Sequence, residues 1–67
     1  MTVNGEHFSV DTLKEKSLNA LLDYYNLSKN RVAVELNGTV IKKADYDKMK
    51  ITQEDVIEII HFVGGGN

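Results

Sequence analysis

Val56-Ile57-Glu58-Ile59-Ile60-His61-Phe62-Val63-Gly64-Gly65-Gly66-Asn67 is the stretch around which the rest of the chain is arranged. Its first eight residues are mostly β-branched or aromatic, which suits a pleated strand. Its last four are three glycines and an asparagine. Without a Cβ, glycine loses the most conformational entropy on ordering, so a flexible C-terminal tail over 64–67 is expected. Extended, a tail of that length reaches about 13–14 Å. A rigid strand followed by a thin tail suits a chain end that must enter another protein's active site. Parity within the strand sorts its faces. Ile57 and Ile59 share one face; Glu58, Ile60 and Phe62 share the other. An unpaired carboxylate avoids the core, so Glu58 marks the wet face. Ile60 and Phe62 then lie exposed beside the tail and, with Val63, make a docking patch. Glu54, Asp55 and Glu58 form an acidic rim suited to steering a basic partner.

The chain has 67 residues, enough for one small domain, expected over 1–63. It has no cysteine, which excludes disulfides, thiolate metal sites and a thiol nucleophile, and fits a reducing cytoplasm. His7 and His61 stand far apart and not at metal-ligand spacing, so no metal site and no bound cofactor are expected. The net charge of −2, with mixed signs, argues against nucleic acid. No run has the length of a membrane span, and Met1 to Gly5 lacks the basic and apolar regions of a signal peptide. Carboxylates converging in a pocket are not evident, so a catalytic role is not expected.

Upstream, Asn4-Gly5 predicts a tight turn with positive φ inside a hairpin over Met1–Val10. Phe8 and Val10 face the core, matched by Met1 and Val3. Asp11–Lys16 reads as a polar connector. Ser17 is a candidate N-cap for a helix to Tyr25, with Leu18, Leu21, Leu22 and Tyr25 on one buried stripe. Asn26 closes it. Arg31–Leu36 predicts a third strand, Asn37-Gly38 a second turn, and Thr39–Ile41 a fourth strand. Lys42–Lys50 is charged and irregular, with one helical turn around Tyr46; Thr52–Asp55 is a polar turn. The order gives an α+β fold: a mixed sheet of about five strands curled around one helix, the last strand central and parallel to the first.

These elements, with Ser17-Leu18-x-x-Leu21-Leu22, Val32-Ala33-Val34-Glu35-Leu36-Asn37-Gly38 and the ending from Asp55 to Gly66, resemble the ubiquitin-like β-grasp sulfur carriers, in particular those of thiamine biosynthesis. The likeness covers nearly the whole chain. It implies a monomeric carrier rather than an enzyme. An ATP-dependent adenylyltransferase of the E1 type would activate the C-terminal glycine, a persulfide donor would convert the glycyl-adenylate to a thiocarboxylate, and thiazole synthase would take the sulfur. Gly64 and Gly65 would thread the partner's site, and Gly66 would carry the thioglycine. One residue departs from the pattern: Asn67 follows Gly66. By the resemblance Gly66 is the carrier residue once Asn67 is removed, with trimming by a protease the simplest route and direct use of an Asn terminus or an inactive precursor the alternatives. The same fold also serves as the small subunit of molybdopterin synthase, as a conjugation tag and as a noncovalent ubiquitin-like module.

Overall fold

The computed structural model describes residues 1–62. Its strands are β1 (Thr2–Val3), β2 (Glu6–His7), β3 (Val32–Leu36), β4 (Thr39–Val40) and β5 (Val56–His61), and its α-helix is α1 (Leu18–Tyr24). The five strands make one mixed sheet in the order β2-β1-β5-β3-β4. β5 is central, parallel to β1 and antiparallel to β3, as its Val/Ile content predicts. α1 follows the β1–β2 hairpin, and its stripe of Leu18, Leu21 and Leu22 is buried in one core with Val32, Val34, Ile57 and Ile59.

β1 spans two residues and β5 spans six, so β1 alone cannot pair all of β5's backbone. A buried peptide group left unpaired costs free energy, and here side-chain amides fill the gap. Asn4 and Asn37 both sit in the left-handed region, at φ 51° and 53°, each followed by a glycine with positive φ. These are the two-residue turns expected from the Asn-Gly pairs. A residue turned this way cannot extend its own carbonyl along the ladder. At Asn4 the main-chain N–H donates to the Ile57 carbonyl at 2.9 Å. Its side-chain oxygen accepts from the Ile59 N–H at 2.7 Å, and its amide nitrogen donates to the Ile59 carbonyl at 3.3 Å. Asn37 repeats the device on the other flank: its N–H donates to the Val56 carbonyl at 2.7 Å and its side-chain oxygen accepts from the Val56 N–H at 2.8 Å.

A third amide explains why the first hairpin is shorter than expected. β2 ends at His7, and Val10–Thr12 forms a 3-10 turn. The Gln53 side chain accepts from the Val10 N–H at 3.0 Å and donates to the Phe8 carbonyl at 3.1 Å, standing where another strand would lie. Phe8 and Val10 are nevertheless buried, as their parity predicts. The supposed polar connector after them holds a core residue, Leu13.

α1 is capped at both ends. The Ser17 hydroxyl accepts from the Ala20 N–H at 3.1 Å, and the Tyr46 carbonyl takes the Asn19 N–H at 3.2 Å. Two of the four unpaired N–H groups of the first turn are thereby satisfied. At the far end Asn26, at φ 60°, donates to Asp23 and Leu27 donates to Leu22. This is the Schellman closure, with asparagine in the left-handed position. Tyr25 departs from expectation. It is the C-cap, 40% exposed rather than buried, and its ring packs on Phe8 and Tyr24 at the surface. A helix of seven residues ends before its stripe reaches that position.

The charged 42–50 segment contains the expected single turn, Lys43–Asp45, and, with Ile51 after it, is more than a solvated loop. Tyr46 is 1% exposed and Ile51 2%. Burial pushes the Tyr46 hydroxyl above its ordinary pKa, and the Val34 backbone amide opposes that rise.

Two expectations follow. Asn4→Gly and Asn37→Gly keep the turns but delete the amide bonds, and each should lower unfolding free energy by about 1–3 kcal/mol in urea titrations; unchanged midpoints would show that the side-chain amides do not hold β5. Tyr46→Ala empties a closed site and should cost about 3–5 kcal/mol, enough to leave a domain this small largely unfolded by circular dichroism at room temperature.

Candidate functional site

β5 brings the candidate residues together. Ile57 and Ile59 are buried, while Glu58, Ile60 and Phe62 are exposed, in the alternation expected from the sequence. Ile60 is 47% exposed and Phe62 46%. Val63, Gly64, Gly65, Gly66 and Asn67 lie outside the described residues, and with them the tail-threading and carrier positions.

Pairing extends the outer patch beyond the residues expected in it. Ile60 pairs with Ala33, Glu58 with Glu35, and Glu35 with Val40 on the far side. Thr2 pairs with Val56. Partners in a pleated sheet point to the same face. Val40 and Val56, both at least half exposed, therefore join Ile60 and Phe62 on one apolar face. The signal for Val40 is present in the sequence, because a two-residue Asn-Gly turn fixes the register of the hairpin around it.

Glu35 and Glu58 stand directly opposite each other in the middle of this face. Like charges in that relation destabilise a sheet. No cation offsets them among the described residues, where the one salt bridge is Lys16 to Asp11 at 3.7 Å, elsewhere on the surface. The acidic rim expected from Glu54, Asp55 and Glu58 divides on inspection. The Asp55 carboxylate accepts from the Thr52 N–H at 2.8 Å and from the Asn37 side chain at 3.0 Å. It is a structural cap of the turn before β5. Among the described residues no such bond reaches the Glu58 carboxylate, and Glu35 is the neighbour that rim omitted.

On the helix side of β5's end lies an open cavity of about 380 Å³ lined by Val3, Asn4, Glu6, Tyr25, Leu27, Ile59 and His61. Burial raises the Tyr25 pKa, with Tyr24 and Glu6 adding to the rise. Among the described residues no group of three or more His, Cys, Asp or Glu side chains is placed to hold a metal ion. No described helix is long and apolar enough to cross a membrane.

A mixed five-stranded sheet with one α-helix on it, and a central last strand with an exposed apolar outer face, defines a small ubiquitin-like β-grasp domain. The chain belongs to the ThiS family, whose model matches residues 1–66. It is 48% identical over 46 residues to the sulfur carrier protein ThiS of Bacillus subtilis, covering 69% of this chain and 70% of that one. It superposes with a TM-score of 0.78, at 32% identity, on the crystal structure of the thiamine biosynthesis protein ThiS from Geobacter metallireducens, covering 96% of this chain and 94% of that one. A thiazole synthase of Magnetococcus marinus contains a segment 33% identical to 96% of this chain, and that segment is 19% of the longer protein.

Replacing one of the opposed carboxylates should relieve the repulsion. Glu58→Gln should raise the melting temperature of the isolated domain by about 1–4 °C, read by calorimetry. A lower melting temperature would mean that Glu58 has a stabilising partner.

Proposed function

We propose that the chain is a sulfur carrier of thiamine biosynthesis, a substrate and cargo of other enzymes rather than an enzyme itself. The observation that carries this reading is the match to the ThiS family, which runs to Gly66 and leaves only Asn67 beyond it. The carrier group is the Gly66 carboxylate, freed by hydrolysis of the Gly66–Asn67 bond. A free carboxylate is a poor electrophile. An E1-like adenylyltransferase supplies the missing leaving group: the carboxylate attacks the α-phosphate of ATP, pyrophosphate departs, and a glycyl-adenylate remains. The outer sulfur of a persulfide donor then displaces AMP, and a thiol cleaves the resulting acyl disulfide to leave the thiocarboxylate.

Chemistry of this kind needs water kept from the adenylate, and so a narrow channel. Gly64 and Gly65 suit such a channel because they carry no side chain to obstruct it. Ordering them costs free energy, which docking must offset. The apolar outer face supplies the contacts, through Ile60 and Phe62 with Val40 and Val56 beside them; Val63, next in sequence, adds its own, and Glu58 with Glu35 attracts a cation of the partner. Thiazole synthase is the sulfur acceptor this reading favours over the molybdopterin enzyme. The supporting observation is the thiazole synthase of Magnetococcus marinus, in which a segment like this chain is part of the same polypeptide.

The test is mass spectrometry of the full chain incubated with the cell extract, ATP and a sulfur donor. Loss of one asparagine residue, followed by exchange of one oxygen for sulfur, is expected. Ile60→Asp or Phe62→Asp should slow thiocarboxylate formation about tenfold or more without preventing folding, because each places a charge in a desolvated contact. Sulfur incorporation with Asn67 retained, or none in any extract that makes thiazole, would overturn the reading.

A further inference from the structure

β5 has one flank that its neighbours leave open. Along the strand, backbone groups alternate between the β3 side and the β1 side. Phe62 donates to the Arg31 carbonyl on the β3 side, and Ile59 is held by Asn4 on the β1 side. The alternation points the N–H and C=O of His61 to the β1 side, one step beyond Asn4. There β1 has already turned away into β2, and no described residue pairs with them. The unpaired N–H and C=O of His61, at the end of the strand, can take one residue of another chain.

The cavity opens at this same spot. Val3, Leu27 and Ile59 supply its apolar part, and Glu6 and Tyr25 supply a carboxylate and an aromatic ring. No lysine or arginine lines it, and Glu6 has no salt-bridge partner among the described residues. The Tyr25 ring is braced by Phe8 and Tyr24, with centroids 5.8 and 5.3 Å away, so its face is held in place. A carboxylate without a counterion beside a fixed aromatic ring is complementary to a planar cation. Arginine fits better than lysine, since its guanidinium both forks onto a carboxylate and stacks on a ring.

We propose that this notch is a docking site for an extended segment of a partner protein, which pairs with the His61 backbone along the open flank of β5 and lays an arginine side chain between Glu6 and Tyr25. The site is on the helix side of the sheet and is distinct from the apolar outer face. A partner using both would hold the chain end from two sides. The inference rests on local geometry alone and stands whether or not the chain carries sulfur.

The probe is the blocked peptide acetyl-Thr-Val-Arg-Val-Thr-amide, titrated into the nitrogen-15-labelled full chain, with the Glu-for-Arg peptide as control. The arginine peptide should shift the amides of Asn4, Glu6, Tyr25 and His61 and leave Val40 and Val56 in place. Glu6→Gln should weaken binding about three- to fivefold, and Tyr25→Leu about threefold, the size expected for exposed ion pairs and cation–π contacts. Both positions are surface-exposed, and unchanged spectra elsewhere will confirm folding. Four results would each overturn the proposal: equal shifts with the glutamate peptide, shifts confined to the outer face, indifference to both substitutions, or no shift at peptide concentrations of about 10 mM.

Discussion

The backbone of β5 is paired on both flanks over most of its length, and the neighbouring strands do not do this by themselves. β1 offers two residues to a strand of six. Asn4 extends that flank to Ile59, and Asn37 extends the β3 flank to Val56, each by presenting a side-chain amide in place of a peptide group. Each is also the left-handed residue that reverses the chain. Turn and clamp are thus one residue, and the position tolerates little else. Glycine would make the turn and lose the clamp. Another residue with a side chain would strain the turn. The short strands and the long central one are consistent because of these two asparagines.

Fixing β5 fixes its two faces. The inner residues Ile57 and Ile59 are locked against α1, so the outer residues cannot rotate inward to hide. Ile60 and Phe62 remain exposed because the register forbids any alternative. A one-residue slip would bury Glu58, at a cost no small core can absorb. The apolar outer face therefore persists in the free protein without a partner to hold it open. It stands at the place where the chain leaves the sheet.

Much of this was legible in the residues. The two Asn-Gly pairs, the Leu stripe, the Ser17 cap, the Asn26 closure and the alternation of β5 are local signals, and local physics decides them. What escaped was long-range. Nothing near Gln53 announces that its amide will bridge Phe8 and Val10, more than forty residues upstream. Nothing near Tyr46, amid lysines and aspartates, announces a core residue whose carbonyl caps α1. Tyr25 continued a periodic stripe but fell where the helix had already ended. For the candidate site, parity gave Glu58, Ile60 and Phe62. The same parity places Val56 with them, while Glu35 and Val40 needed the cross-strand register as well.

An exposed apolar face on a small protein carries a risk, since two copies could bury it against each other. Glu35 and Glu58 bear on that risk. They sit side by side at the centre of the face, with Val40, Val56, Ile60 and Phe62 around them. Face-to-face pairing of two copies by a two-fold axis would bring four carboxylates into a drying interface, where repulsion is strongest. A partner presenting a cation at that point meets no such barrier and gains from the same charges. The repulsion within the sheet is therefore informative. It weakens the domain slightly, disfavours association with itself, and leaves the face open to a surface of opposite charge. What remains accessible is the end of β5, where an apolar outer face and an open inner flank meet at His61 and Phe62.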